Sequence, residues 1–147
     1  MLPTRLRDAP APGTRMIRHG PMCLVCGLEH PTGLRLRLFA GEEISTYAEV
    51  DVTEVHQGQP GLMHGGLLAA AFDEMMGAVN WLIGPPTLTG RLDIIYRAPV
   101  PVGRLLFFRA WSAGTDRRKH FVTGECRLDG ALGLVAATAS AVFLRPA

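Results

Sequence analysis

The sequence predicts an α+β fold: one long central helix wrapped by a curved antiparallel sheet of five to six strands. Three observations lead there. The stretch from about Gly65 to Leu82 has no proline, shows no alternation and is apolar on nearly every side, the pattern of a buried helix. Several other stretches have the period or composition of strands, and most are joined by short turns that suit antiparallel pairing. Strand and helix do not alternate repeatedly, which excludes a parallel α/β sheet.

The elements follow in order. Residues 1–20 are rich in proline and arginine, with Arg5, Arg7, Arg15 and Arg18 against Asp8, and are expected to be a flexible N-terminal arm. Residues 21–147 are expected to form a single domain. Its first strand places Leu34, Leu36 and Leu38 in alternation with Arg35 and Arg37, giving one wet face. A second strand runs from about Ile44 to Val52, and the glycine and proline of "HQGQPG" mark a loop before the helix. Four strand-like runs follow the helix: "TLTGRLDIIYRAP", "RLLFFRAWSAG", "KHFVTGECRL" and "LVAATASAVFL". The connections "PVG", "GTDRR" and "DGALG" between them predict three hairpins.

Composition narrows the function. The 147 residues are 48% hydrophobic, enough for one domain with a sizeable core. The net charge is +2 and sits in the arm, so a broad basic face for nucleic acid is not expected. No apolar run has the roughly 20 residues of a membrane span. The N-terminus lacks the apolar segment of a secretory signal, and three cysteines suit reduced thiols. A cytoplasmic protein is expected. Ser45, Ser112 and Ser140 are the only serines and none lies in a G-x-S-x-G elbow.

The chemistry concentrates in "GLMHGGLLAAAFDEMMGA". An ionised carboxylate on a buried helix is costly unless it is paired or hydrogen-bonded. Asp73 therefore has either a buried polar contact, with Arg91 or Arg97 as candidates, or a chemical role in a cleft. Gly65 and Gly66 stand at the helix start, where the first amides lack intrahelical partners and face the positive end of the dipole. Such a terminus either makes a tight turn or polarises a carbonyl. Gly66 and Asp73 fall on nearly the same helix face, about 10 Å apart along the axis, too far to serve one carbonyl. Two helices antiparallel about a two-fold axis would solve this: Gly66 of one protomer would face Asp73 of the other, at two shared sites. Glu74, about 100° round, is a salt-bridge partner or a reserve base.

Other residues receive simpler assignments. Cys23-x-x-Cys26 has no second cysteine pair, and spacing gives His19 and His30 no support as ligands. A turn-stabilising role is expected, with no metal and no cofactor. Cys126 is expected in the core, His56 in a structural role and "DRRKH" at a solvated hairpin tip. Trp81, Met75 and Met76 suit core packing or an acyl pocket equally.

The stretch "HQGQPGLMHGGLLAAAFDEMMG" resembles the hotdog-fold acyl-CoA thioesterases of the phenylacetyl-CoA thioesterase-like group: a Gly/Pro loop, His-Gly-Gly, then Asp nine residues after the His. "TLTGRLDIIYRAPVPVG", with Tyr96, Pro99 and Pro101, resembles the following strand, and "CLVCGLEHPTGL" resembles one branch's entry motif. The similarity covers roughly residues 22–145. It implies the hotdog fold and hydrolysis of an acyl-CoA thioester by a homodimer or a dimer of dimers, with no cofactor. Asp73 would be base or nucleophile. The Gly66 amide, with Gly65, would polarise the carbonyl. His64 would shape the loop or contact the thioester, and Thr89 would orient Asp73 or the water. Gly58 and Pro60 would line the substrate, and Arg117, Arg118 and Lys119 would meet CoA phosphates. Two positions depart from the pattern: Gly58 stands where many relatives have Asn, and His30 where Asn is usual. The alternatives are a hotdog protein that binds an acyl thioester without cleaving it, and a dehydratase or hydratase, for which no His/Glu or Asp/His arrangement stands out.

Overall fold

A computed structural model describes residues 1–17 and 19–147. Arg18, counted above in the arm, lies outside the described residues. Six strands, β1 (Arg37–Ala40), β2 (Ser45–Asp51), β3 (Leu88–Tyr96), β4 (Leu105–Asp116), β5 (Lys119–Leu128) and β6 (Val135–Leu144), form one sheet around the helix α1 (Gly65–Gly77). Every neighbouring pair is antiparallel, in the spatial order β1-β2-β4-β5-β6-β3. This is the expected single helix on a wide antiparallel sheet. Phe72, Met75 and Met76 of the helix are fully buried, as are Leu106 and Phe108 of β4. Phe72 meets Phe108 edge to face at 5.2 Å, a favoured aromatic geometry. Gly124 of β5 leaves room for Met76, since a Cβ there would sit 3.1 Å from its sulfur.

Three local expectations are corrected. The α-helix ends at Gly77 and continues to Leu82 as a tighter 3-10 turn. Asn80 Nδ2 donates to the Gly77 carbonyl at 3.1 Å, a side-chain bond that competes with the regular helix. The first strand starts at Arg37 rather than Leu34, because Arg35 takes a left-handed φ of 49°. Leu34 and Leu36 instead donate their amides to Leu24 and Val25, yet the alternation holds and both are buried. The "PVG" turn makes no hairpin. β4 has both its edges occupied, by β2 and β5, and β3 pairs with β6 at the far end of the sheet. The connection instead ties to the loop before the helix, with Gly103 N–H donating to Val52 O at 2.7 Å and Val102 N–H to Gly61 O at 2.9 Å.

The N-terminal segment lies along the fold. Met1 and Thr115 exchange backbone hydrogen bonds, and Leu6 N–H donates to Leu82 O at 2.8 Å. Met16 and Gly13 donate to Leu38 and Ala40 of β1. The outer edge of β1 is thus covered, and the outer edge of β3 has no strand partner among the described residues.

The hairpin tip is solvated only in part. Arg117, Arg118 and Lys119 are exposed, but His120 is fully buried. Its Nδ1–H donates to Asn80 Oδ1 at 2.7 Å, and its Nε2 accepts from Ser112 Oγ at 2.9 Å. Asn80 is oriented for this by its bond to Gly77, so the neutral imidazole is satisfied at both nitrogens. Burial, then the nearby Arg145, hold this imidazole down at about 4 from its ordinary 6.5. The unfolded chain therefore takes up a proton between these values that the native chain refuses. Stability contributed here is present above pH 6.5 and is lost as pH falls towards 4, by about 3 kcal/mol. Denaturant unfolding across pH 4–7 should show this slope in the natural chain and a shallower one in His120→Gln.

Candidate active site at the helix terminus and its distal face

The loop before α1 closes on itself. His64 N–H donates to His56 O at 2.8 Å, Gly58 N–H donates to Leu62 O, and Gln57 bridges Met63. His56 is structural, as expected: its Nδ1 accepts from Thr53 N–H and its Nε2–H donates to Gly33 O, both at 3.0 Å. His64 is the N-cap of the helix, its Nδ1 accepting from Gly66 N–H at 2.8 Å. The imidazole thus occupies the Gly66 amide that sequence reasoning left open to a ligand. No hydrogen bond of the Gly65 amide is present among the described residues. The ring is wedged between two glycines, since a Cβ at Gly58 would meet it at 3.1 Å and one at Gly66 at 2.9 Å.

A cleft of about 530 Å³ opens beside this terminus, lined by Gly58, Leu62, His64, Gly65, Pro99 and Val100. Pro60 stands exposed in the adjoining turn. A second hollow of about 330 Å³ lies on the other side of Gly65, with Leu68, Tyr96 and Arg97 in its wall. Tyr96 OH donates to Gly65 O at 2.7 Å. Tyr96 was legible only as a motif residue, Leu62 carried no signal in the sequence, and Arg97, considered there as a partner for Asp73, stands in this hollow instead.

Asp73 sits two turns further along, half-buried. Thr89 Oγ1, on β3, donates to its Oδ1 at 2.6 Å. Arg91 bonds Asp93 instead, at 2.7 Å, so it is not the partner considered for Asp73. The basic tip belongs to this end too: Lys119 and Leu88 both stand opposite Leu144, and Leu88 precedes Thr89. One chain therefore gathers two separate groups. Gly58, His64, Gly65 and Gly66 lie at the helix start; Asp73, Thr89 and Arg117–Lys119 lie towards its far end.

Glu74 points the other way. It is 5% exposed and its Oε1 accepts from His19 Nδ1–H at 2.9 Å. Cys23 Sγ donates to the same oxygen at 3.6 Å, and Cys26 belongs to the same cluster. The cysteine pair does make the expected turn, with Cys26 N–H donating to Cys23 Sγ at 3.5 Å. However, the fold supplies His19 and Glu74 to it, which spacing did not suggest. Burial, then a hydrogen bond to Glu74, push the Cys26 thiol up to about 12. Cys126 is a core residue as expected, its thiol also pushed up to about 12 by burial. Met75 and Met76 are core residues rather than pocket walls.

The loop, the helix and the first strands after it are also what ties this chain to others. It belongs to the thioesterase superfamily, whose family model matches residues 60–132, about half of the chain. A 71-residue stretch, 48% of the chain, is 31% identical to the acyl-coenzyme A thioesterase THEM4 of Bos taurus and spans 29% of that protein. A solved thioesterase superfamily protein is 27% identical, with a TM-score of 0.77 over 85% of this chain and 61% of its own. The E. coli PaaI protein from the phenylacetic acid degradation operon shares the fold at 16% identity, with a TM-score of 0.71 over 78% of this chain and 81% of its own. The architecture is the hotdog fold. The chain spans less than a third of the bovine relative and less than two thirds of the first solved one. No helix is long and apolar enough to cross a membrane among the described residues.

The helix terminus makes two checkable demands. His64→Ala removes the cap and should cost about 1 kcal/mol in urea unfolding. Gly65→Pro should fold with unchanged or slightly higher stability, because Pro is favoured at the first helical position. Room exists for it: a Cβ there meets only Tyr96, at ordinary contact distances from 3.5 Å.

Proposed function

We propose that the protein hydrolyses an acyl-CoA thioester to a free acid and CoA at a site shared by two copies of the chain. The observation that carries the reading is the separation of the two groups. The Asp73–Thr89 pair and the amide-bearing helix start cannot serve one carbonyl within a chain, since about 10 Å lies between them along the helix. A two-fold copy brings them together. β3 offers an open edge, and Leu88, at 78% exposed, and Ile95, at 58%, stand bare on it. An open edge of this length calls for a partner. Pairing β3 antiparallel with its copy sets the Thr89 end of one protomer against the Tyr96 and Gly65 end of the other. The helix face between the two ends carries the small residues Ala69 and Ala70, both partly open, so a second helix can come close.

In this arrangement the thioester carbonyl oxygen takes the Gly65 amide and displaces the His64 imidazole from Gly66 N–H. Asp73, held by Thr89, either draws a proton from a water whose oxygen adds to the carbonyl carbon, or attacks that carbon itself to form a mixed anhydride that water then cleaves to the free acid. The C–S bond breaks, and the thiolate leaves with a proton. The cleft at Gly58 takes one limb of the substrate. Arg117, Arg118 and Lys119 meet the phosphates of CoA. The curated bovine relative is named an acyl-coenzyme A thioesterase, which supports the substrate class. A dimer of dimers is compatible with the same pairing.

Thiol release from a panel of acyl-CoAs tests the reaction. Asp73→Asn should lower kcat by about 10²-fold or more, and Thr89→Val should lower it less. Release that survives Asp73→Asn removes Asp73 from the mechanism, and no release from any substrate favours a binding module. Mixing Asp73→Asn with Gly65→Pro protomers tests sharing, because the heterodimer keeps one intact site. Recovery of activity on mixing is expected. Two weak variants that stay weak together would place each site within one chain.

A further inference from the structure

We propose that His19, Cys23, Cys26 and Glu74 form a structural zinc site that clamps the 19–27 loop onto the central helix. One ligand atom from each of the four lies within 4.8 Å of every other. The donors are two thiols, an imidazole and a carboxylate, a set that selects zinc over magnesium or calcium. Three of the six edges between these atoms have the length a tetrahedral zinc ion requires. Zinc bonds of about 2.3 Å to sulfur and about 2.0–2.2 Å to nitrogen or oxygen require sulfur–nitrogen and sulfur–oxygen edges of about 3.6 Å. His19 Nδ1 lies 3.6 Å from Cys23 Sγ and 3.7 Å from Cys26 Sγ, and Cys23 Sγ lies 3.6 Å from Glu74 Oε1. The nitrogen–oxygen edge, 2.9 Å, is that of a hydrogen bond. Replacing its proton by a cation widens it to about 3.4 Å at the same bond lengths.

The turn is built for ligated sulfur. Cys26 N–H points at Cys23 Sγ, the kind of second contact that orients a metal ligand. Gly27 is required there: a Cβ would fall 2.3 Å from Pro21 O and 2.6 Å from Cys23 N. A divalent cation also supplies the charge that lets two thiols ionise beside a carboxylate. Four protein ligands fill a tetrahedral ion, so the site is closed and structural rather than catalytic. A redox pair needs only the two cysteines and leaves the convergence of His19 and buried Glu74 unaccounted for. The inference does not depend on the hydrolytic reading, because Asp73 leaves the helix on a different face.

The test is metal analysis of the full chain, freed of any affinity tag. About one zinc per chain is expected, falling below about a tenth in Cys23→Ser/Cys26→Ser. Glu74→Gln, which keeps the side-chain shape, should weaken zinc binding at least about tenfold. Cobalt(II) added to chelator-stripped natural chain should give thiolate-to-cobalt charge transfer and tetrahedral ligand-field bands, a readout independent of whether the variants fold. Zinc content no higher than in the serine variant, a cobalt spectrum without thiolate bands, or a Cys23–Cys26 disulfide in metal-free purified chain would each overturn the proposal.

Discussion

A helix that the sheet wraps on most sides cannot carry two adjacent carboxylates unless they leave it in different directions. Successive helical positions differ by about 100°, and the fold uses that angle. Glu74 turns inward under the 19–27 loop, where His19 meets it at 2.9 Å. Asp73 turns towards the open edge, where Thr89 donates to it at 2.6 Å. Each charge has a partner supplied by a distant part of the chain, and the two partners fix how the helix is rotated. Turning it by one residue would bury Asp73 among apolar groups and strand Glu74 at the surface, at the cost of an uncompensated buried charge.

The sheet order carries this rotation to the two ends of the helix. Because the chain crosses over at Pro101–Gly103 instead of turning back, β3 is left as the terminal strand beyond β6. It then runs past the helix, with Thr89 beside Asp73 at one end and Tyr96 beside Gly65 at the other. A hairpin between β3 and β4 would have put β3 inside the sheet and closed that edge. The crossover is therefore what leaves the outer edge of β3 without a strand partner among the described residues.

Periodicity revealed most of this architecture and part of the site. The buried helix, the alternation at Leu34, Leu36 and Leu38, and the period of β5 are local patterns, and each survives in the structure. Partner choice is not local: turn length at "PVG" permits a hairpin, and only competition for the edges of β4 rules it out. Spacing brought out Gly65, Gly66 and Asp73, and the family motif added His64 and Thr89. His120 was misplaced because a polar run conceals which residue points inward, and its neutral imidazole depends on Asn80, 40 residues away. The cluster at Cys23 was hidden for the same reason, since Glu74 joins it from another element.

Helix capping and carbonyl polarisation draw on the same few amides, so an amide held by the cap cannot polarise a carbonyl until the cap gives way. The choice of cap decides how readily one gives way to the other. An Asp cap would hold the amide by a short charged arm and repel an incoming oxyanion. His64 offers a ring nitrogen instead, and under the proposed reaction that ring turns aside. Its freedom depends on Gly58 and Gly66, where any Cβ would press on the ring at about 3 Å. The glycine at 58, which departs from the family's usual Asn, then has a physical role. It leaves space beside the imidazole, so under the proposed reaction a carbonyl oxygen can take the Gly66 amide without distorting the loop that holds His64 to His56.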